Sequence, residues 1–328
     1  RSPYLGIGNP LLIGPDGTDR RAFEAPVCHM EDEVAAAAPR PHSGSAPSTK
    51  AALRMSLTSS AQRAARGDTA SLRRQWPLPE TAVELCRVAR HARAAPSDVI
   101  VGAAATEAGI KSMSANGRLA DARIVHFATH GLLAGETAMF IADKAEPSLM
   151  LTPPELPSDA DDGLLTASEV AGLRFDADWV VLSACNTASG DDVGAEALSG
   201  LARAFFYAGA RSLLVSHWAV DSDATVQLVT AAFDAMSREP GLSQARALSK
   251  AMASLIGTGG PAAHPSNWAP FVVVGGNAPT LAAAGVIPAS RPAAVTPASR
   301  SASRSPEKKQ RRKPPAQDTN WFDGLFQN

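Results

Sequence analysis

A histidine and a cysteine each follow a stretch of sequence with the composition of a buried strand. Residues 124–131 read IVHFATHG and end at His130 and Gly131, and residues 180–187 read VVLSACNT and contain Cys185. Runs of apolar, β-branched and small residues are typical of strands that are buried on both faces. In an open parallel sheet, ligands bind at the carboxyl ends of the strands. If the two strands are neighbours, an imidazole base meets a thiol there, as a cysteine nucleophile requires.

Both side chains also have other interpretations. Cys185 alone fits a small core residue at the end of a strand. His126 and His130 are four residues apart, which on a helix is the spacing of a zinc-binding pair. On a strand this spacing puts them on one face but too far apart to share an ion. We therefore expect His126 to be a hydrogen-bonded core residue, and we predict no metal and no cofactor.

Composition restricts the class of protein without choosing a function. The chain has 328 residues, of which 45% are hydrophobic, and its formal net charge of -1 gives no global reason to expect nucleic acid or membrane as a partner. No apolar run is long enough to span a bilayer. The three cysteines, Cys28, Cys86 and Cys185, are far apart in sequence, which suggests no disulfide framework and favours a reducing, cytoplasmic location. The chain begins at Arg1 rather than Met, so we expect it to be a fragment of a longer protein. A signal peptide in the lost N-terminal part stays an open alternative.

The elements around these residues predict an α/β fold, with a mostly parallel central sheet and helices on both faces. Strands are expected near residues 4–8, 99–102, 124–128, 180–184, 212–216 and 271–274. Helices are expected near 80–89, 105–120, 164–172, 196–208, 224–236 and 243–255. Residues 136–163, which are rich in Pro and Asp, are expected to form a long loop with a short strand at 139–141.

Changes in composition predict two regions. Residues 1–280 would form the folded domain, with a flexible insertion near 31–50 where Ala, Pro, Ser and Gly dominate. Residues 281–328 form a low-complexity tail that is expected to be disordered. The tail contains the basic run KKQRRK at 308–313, which is expected to be solvated; binding to nucleic acid through this run is a weaker alternative.

The sequence resembles the CHAT domain, a bacterial family related to the caspases, separases and gingipains. The resemblance rests on HG at 130–131 and SAC at 183–185, together with LGIGNP at 5–10, LLTA at 164–167, AGARS at 208–212, WAVD at 218–221 and WAPF at 268–271. These segments agree in order and spacing from about residue 4 to residue 276. The resemblance implies a caspase-like fold, and it implies tetratricopeptide repeats in a missing N-terminal part.

The resemblance also implies a cysteine-type peptidase that hydrolyses a protein or peptide substrate. Cys185 would be the nucleophile, His130 the general acid, and the backbone N–H groups of Gly131 and Cys185 the oxyanion hole. The dyad needs no acidic third member. The chain departs from the family after the cysteine, where it reads NTASG instead of beginning with an acidic residue. A catalytically silent CHAT scaffold, acting through its repeats or its basic tail, is the alternative of a different class.

The segment that leaves the strand at 212–216 is the candidate substrate pocket, with Ser216, His217, Trp218 and Asp221. Trp218 would form an apolar wall, and Asp221 would attract a basic side chain at P1, the residue before the cleaved bond. Asp221 also precedes a helix, so the alternative is that it caps this helix.

Overall fold

The computed structural model of the chain describes residues 1–25, 28, 69–141, 145–158, 160–184 and 200–276. Its strands are β1 (Leu5–Gly8), β2 (Val99–Val101), β3 (Ile124–Ala128), β4 (Gly131–Leu132), β5 (Ser148–Met150), β6 (Leu164–Thr166), β7 (Trp179–Ser183), β8 (Ser212–Ser216) and β9 (Phe271–Gly275). Its helices are α1 (Thr69–Arg73), α2 (Glu80–Ala92), α3 (Glu107–Ala115), α4 (Arg118–Asp121), α5 (Ala134–Phe140), α6 (Ala167–Ala171), α7 (Gly200–Tyr207), α8 (Ser222–Arg238) and α9 (Gln244–Thr258). The predicted insertion near 31–50 and the tail at 281–328 lie outside the described residues.

A mostly parallel sheet forms the centre of the described structure. Its strands lie in the order β2-β1-β3-β7-β8-β9, and β9 alone of these six runs antiparallel to its neighbour. Alternate residues of the strands point to opposite faces, and each face has its own apolar core. Helices α3, α6 and α7 cover one face, and helices α2, α8 and α9 cover the other. The predicted α/β class, with helices on both faces, is therefore confirmed.

The first strand approaches its neighbours closely because it carries two glycines. A Cβ atom on Gly8 would lie 2.2 Å from the carbonyl oxygen of Ala128 and 2.9 Å from the Leu85 side chain. Glycine at this position therefore lets α2 pack tightly over β1 and β3. A Cβ atom on Gly6 would likewise lie 2.7 Å from the Tyr4 hydroxyl and 3.1 Å from the Leu85 side chain, so the same packing accounts for both glycines.

The small antiparallel sheet β4-β5-β6 is not predicted from the sequence, and only β5 lies in the segment 136–163 that is predicted to be mainly loop. The strand predicted at 139–141 is wrong, because Met139 and Phe140 belong to α5. The Glu136 side chain accepts the Leu133 N–H at the start of this helix, at 2.9 Å, and Phe140 is buried in a third apolar cluster. The predicted helix at 164–172 instead begins with β6, after which Thr166 caps α6 in the expected capping box.

The interpretation of the cysteines is also wrong for two of the three. Cys28 and Cys86 form a disulfide, with their Cα atoms 5.4 Å apart and a sequence separation of 58 residues. Distance along the sequence gave no indication of this pairing because the fold brings the two residues together. The predicted reducing location therefore loses the observation on which it rested.

Candidate active site

The predicted histidine and cysteine strands are neighbours. Strands β3 and β7 pair in parallel, and Ala128 lies opposite Ser183 at their carboxyl ends. His130 follows two residues after Ala128, and Cys185 follows two residues after Ser183. Neighbouring strands are about 4.8 Å apart, so the register brings the two chain segments out of the sheet side by side. Cys185 itself lies outside the described residues.

His130 is buried, with 3% of its surface exposed, and one of its ring nitrogens already has a partner. Nε2 lies 2.7 Å from the backbone carbonyl oxygen of Trp76. A carbonyl only accepts hydrogen bonds, so Nε2 carries a proton and the neutral ring keeps Nδ1 as its basic nitrogen. Burial lowers the pKa of His130 from its ordinary value of 6.5, and the bond to Trp76 opposes this shift in part. The imidazole is therefore neutral near pH 7 and able to accept a proton through Nδ1.

The Trp76 carbonyl is held in place by backbone contacts of the segment between α1 and α2. The N–H groups of Ile13 and Gly14 donate to the carbonyls of Arg73 and Gln75, at 2.7 and 3.1 Å. Sequence reasoning missed this partner of His130. A backbone carbonyl carries no residue-type signal, and Trp76 is 54 residues away from the histidine.

Gly131 opens strand β4 directly after His130. It lies opposite Leu149, and the neighbouring bond of the ladder runs from the Met150 N–H to the His130 carbonyl, at 2.9 Å. In an antiparallel pair this pattern makes Gly131 and Leu149 a non-hydrogen-bonded pair, so the Gly131 N–H points away from β5. This direction is compatible with an oxyanion donor.

A cleft opens at this edge of the sheet, between α2 and the start of α8. Its volume is about 370 Å³ when its open mouth is included. The lining comes from the start of α2, the ends of β3 and β7 and the start of α8: Leu78, Thr81, Glu84, Thr129, His130, Ser183, Ala184, Val220, Ser222 and Thr225. The cleft therefore reaches His130 and the last described residue before Cys185.

None of the four candidate pocket residues, which lie at the end of β8 and after it, lines this cleft. Ser216 is buried, and its hydroxyl donates to the Ala184 carbonyl at 2.8 Å, so it holds the backbone next to Cys185. His217 is half-buried and donates its backbone N–H to the Pro270 carbonyl. Trp218 is 41% exposed, and its ring N–H donates to the Ser266 carbonyl at 3.0 Å.

Asp221, the fourth candidate, is exposed and is the N-cap of α8. Its carboxylate accepts the Ala224 N–H at 2.9 Å. The capping alternative describes the observed contact, and a role of Asp221 in substrate recognition stays a prediction. Val220 and Ser222, on either side of it, do line the cleft.

His126 lies in the core beneath the cleft. It is fully buried, and its Nδ1 is 3.0 Å from the Tyr4 hydroxyl. Its Nε2 lies 2.9 Å from Oε1 of Glu84, a close approach that is not aligned as a hydrogen bond. His126 is thus a core residue with partners of its own, four residues before His130 in the chain. It contacts a buried carboxyl group that sequence reasoning did not single out.

The sequence-family model of the CHAT domain matches residues 24–276 of this chain. The chain belongs to the CHAT domain family. Tetratricopeptide repeat protein 28 from Homo sapiens is 29% identical over 222 residues, and its namesake from Mus musculus is 30% identical over 226 residues. Each match covers 61% of this CHAT chain but only 8% and 9% of the relatives, so the chain spans less than a tenth of their length. Both relatives are mammalian, so these matches give no support to the bacterial source that the resemblance suggested.

Proposed function

We propose that this CHAT domain is a cysteine endopeptidase. The observation that carries the proposal is the setting of His130. Its Nε2 is fixed by the Trp76 carbonyl, and it lies where β3 ends beside the strand that leads to Cys185. This arrangement leaves Nδ1 of a neutral imidazole for the thiol, which supports the predicted dyad without an acidic third residue.

The reaction has two steps. In the first, Cys185 passes its proton to Nδ1 of His130, and the thiolate sulfur bonds to the carbonyl carbon of the substrate. The C–N bond then breaks, and the departing amine takes the proton from His130. In the second, water adds to the thioester while His130 accepts its proton; the C–S bond breaks, the acid is released and the thiol is restored. The N–H groups of Gly131 and Cys185 would stabilise the oxyanion in both steps.

The test is cleavage of a peptide library by the wild type and by two dyad variants. We expect Cys185→Ala to abolish cleavage, and we expect His130→Gln to lower kcat/KM by about 100-fold or more, since a general acid contributes roughly 10²–10⁴-fold. His264→Gln is the matched control, because His264 is exposed and does not line the cleft. Cleavage that persists in folded Cys185→Ala would refute the proposal.

A scaffold role is the second candidate, and one observation favours it. The mammalian relatives are named for tetratricopeptide repeats and not for a peptidase. A scaffold would bind its partner equally well with Cys185→Ala and would leave the library intact. Binding of a partner that depends on neither Cys185 nor His130, together with the absence of any cleavage by the wild type, would decide for the scaffold.

A further inference from the structure

The cleft beside His130 has two polar atoms that no described residue satisfies. Most hydroxyls in its lining are used within the protein: Thr81 donates to the Leu78 carbonyl, Thr129 to that of Met150, and Thr225 to that of Asp221. Among the described residues, Ser183 Oγ and Glu84 Oε1 are buried without a hydrogen-bond partner. Both residues line the cleft, and Glu84 is only 1% exposed.

Glu84 is the centre of this polar end of the cleft. Burying a carboxylate costs several kcal/mol unless a positive charge or hydrogen-bond donors compensate for it. Among the described residues, His126 Nε2 approaches its Oε1 at 2.9 Å, but without the alignment of a hydrogen bond. No Lys or Arg is among the described residues that line the cleft. The site therefore lacks a well-placed donor for this carboxyl group.

The position of Glu84 indicates where a ligand must place its charge. Glu84 contacts His126, which precedes His130 by four residues, and both Glu84 and His130 line the cleft. The carboxyl group thus lies deeper than the histidine that would serve the reacting bond. The side chains of Leu78, Ala184 and Val220 supply an apolar part of the lining. A ligand with an apolar stem and a charged head matches such a cleft, and Lys and Arg have this construction.

We infer that the cleft is a subsite for a long cationic side chain, Arg or Lys, and that Glu84 at its inner end recognises the charge. This inference rests on the proposed peptidase function, where the side chain is that of the P1 residue. Ser183 Oγ accepts a hydrogen bond from the same cationic group. Recognition is thereby assigned to a residue of α2 and not to Asp221 at the start of α8.

The first experiment measures kcat/KM for peptides that differ only at P1, with Arg, Lys, Gln, Leu or Glu. We expect the wild type to prefer Arg and Lys, and we expect Glu84→Gln to lose about 30-fold or more on these two peptides and little on the Gln and Leu peptides. Glu239→Gln is the control and should keep the preference, because Glu239 is exposed and does not line the cleft. Glu84→Asp, which keeps the charge, should retain a weaker preference for Arg and Lys if Glu84→Gln does not fold.

The second experiment measures binding without catalysis. Agmatine, a small alkylguanidine, should raise the melting temperature of Cys185→Ala but not that of the Cys185→Ala, Glu84→Gln double variant. If the wild type cleaves no peptide but agmatine binds through Glu84, the peptidase proposal fails and the cationic subsite stands. A wild type that prefers an acidic or apolar P1 residue would overturn the inference. So would a Glu84→Gln variant that only loses stability, or agmatine binding that is independent of Glu84.

Discussion

At the scale of single residues, the tautomer of His130 is set by a backbone carbonyl that no sequence pattern reveals. The sequence predicts a histidine at the end of a buried strand, and the structure places it there, beside the strand that leads to Cys185. The Trp76 carbonyl sets its tautomer, and burial sets its charge. The burial of Glu84 is also invisible in the sequence. It arises from packing between α2 and β3, and the sequence alone shows only a glutamate on a helix.

The lowered pKa of His130 predicts how stability depends on pH. Well above pH 6.5 the ring is neutral in the folded and the unfolded chain, so its contribution to stability is fully present. As the pH falls through 6.5, the unfolded chain binds the proton first, and the free energy of unfolding decreases. We expect wild type to lose up to about 1.4 kcal/mol more per pH unit than His130→Gln in this range. Urea unfolding at pH 7.5 and 5.5 measures the difference, with His264→Gln as control; equal losses in wild type and His130→Gln would contradict it.

At the scale of elements, the long periodic helices and the strands of the central sheet are predicted from the sequence, whereas the strands of the small sheet are not. Strand β7 and helix α8 have clear patterns of apolar residues and lie close to where they are predicted. Strands of two or three residues, such as β4 and β5, are defined by their pairing and not by their own composition. For this reason β5 is predicted as loop, β6 as the start of a helix, and α5 in part as a strand.

Helix α8 allows the two roles of Asp221 to be separated. The Asp221 carboxylate accepts the Ala224 N–H, and loss of an N-cap of this type costs about 1 kcal/mol. We expect Asp221→Ala to lower the melting temperature, whereas Asp221→Asn, which still caps but has no charge, should melt close to the wild type. Both variants should keep the wild-type P1 preference. If Asp221→Asn changes the P1 preference without lowering the melting temperature, Asp221 belongs to substrate recognition.

At the scale of the whole molecule, the order of the segments identifies the family, but the connections between distant segments come only from the fold. The CHAT family model matches residues 24–276, a range that contains the ordered motifs except LGIGNP at 5–10. Among the described residues no helix is both long and apolar enough to cross a membrane. The disulfide between Cys28 and Cys86 is one such distant connection, since nothing in the two local sequences indicates a bond.

The disulfide predicts the thiol chemistry of the folded chain. The sequence has three cysteines, and Cys28 and Cys86 are joined, so only Cys185 remains as a free thiol. We expect Ellman titration of the native, oxidised protein to give one thiol per chain, and we expect Cys185→Ala to give none. Iodoacetamide followed by mass spectrometry should label Cys185 alone until a reductant is added.

Reduction should also lower the stability of the fold. Closing a loop with a sequence separation of 58 removes chain entropy from the unfolded state, worth about 4 kcal/mol as an upper estimate. We expect dithiothreitol to lower the melting temperature of wild type by several degrees. The Cys28→Ser, Cys86→Ser double variant should melt near the reduced wild type and should not respond to dithiothreitol. Three thiols in the native protein, or a melting temperature that dithiothreitol leaves unchanged, would show that Cys28 and Cys86 are not joined.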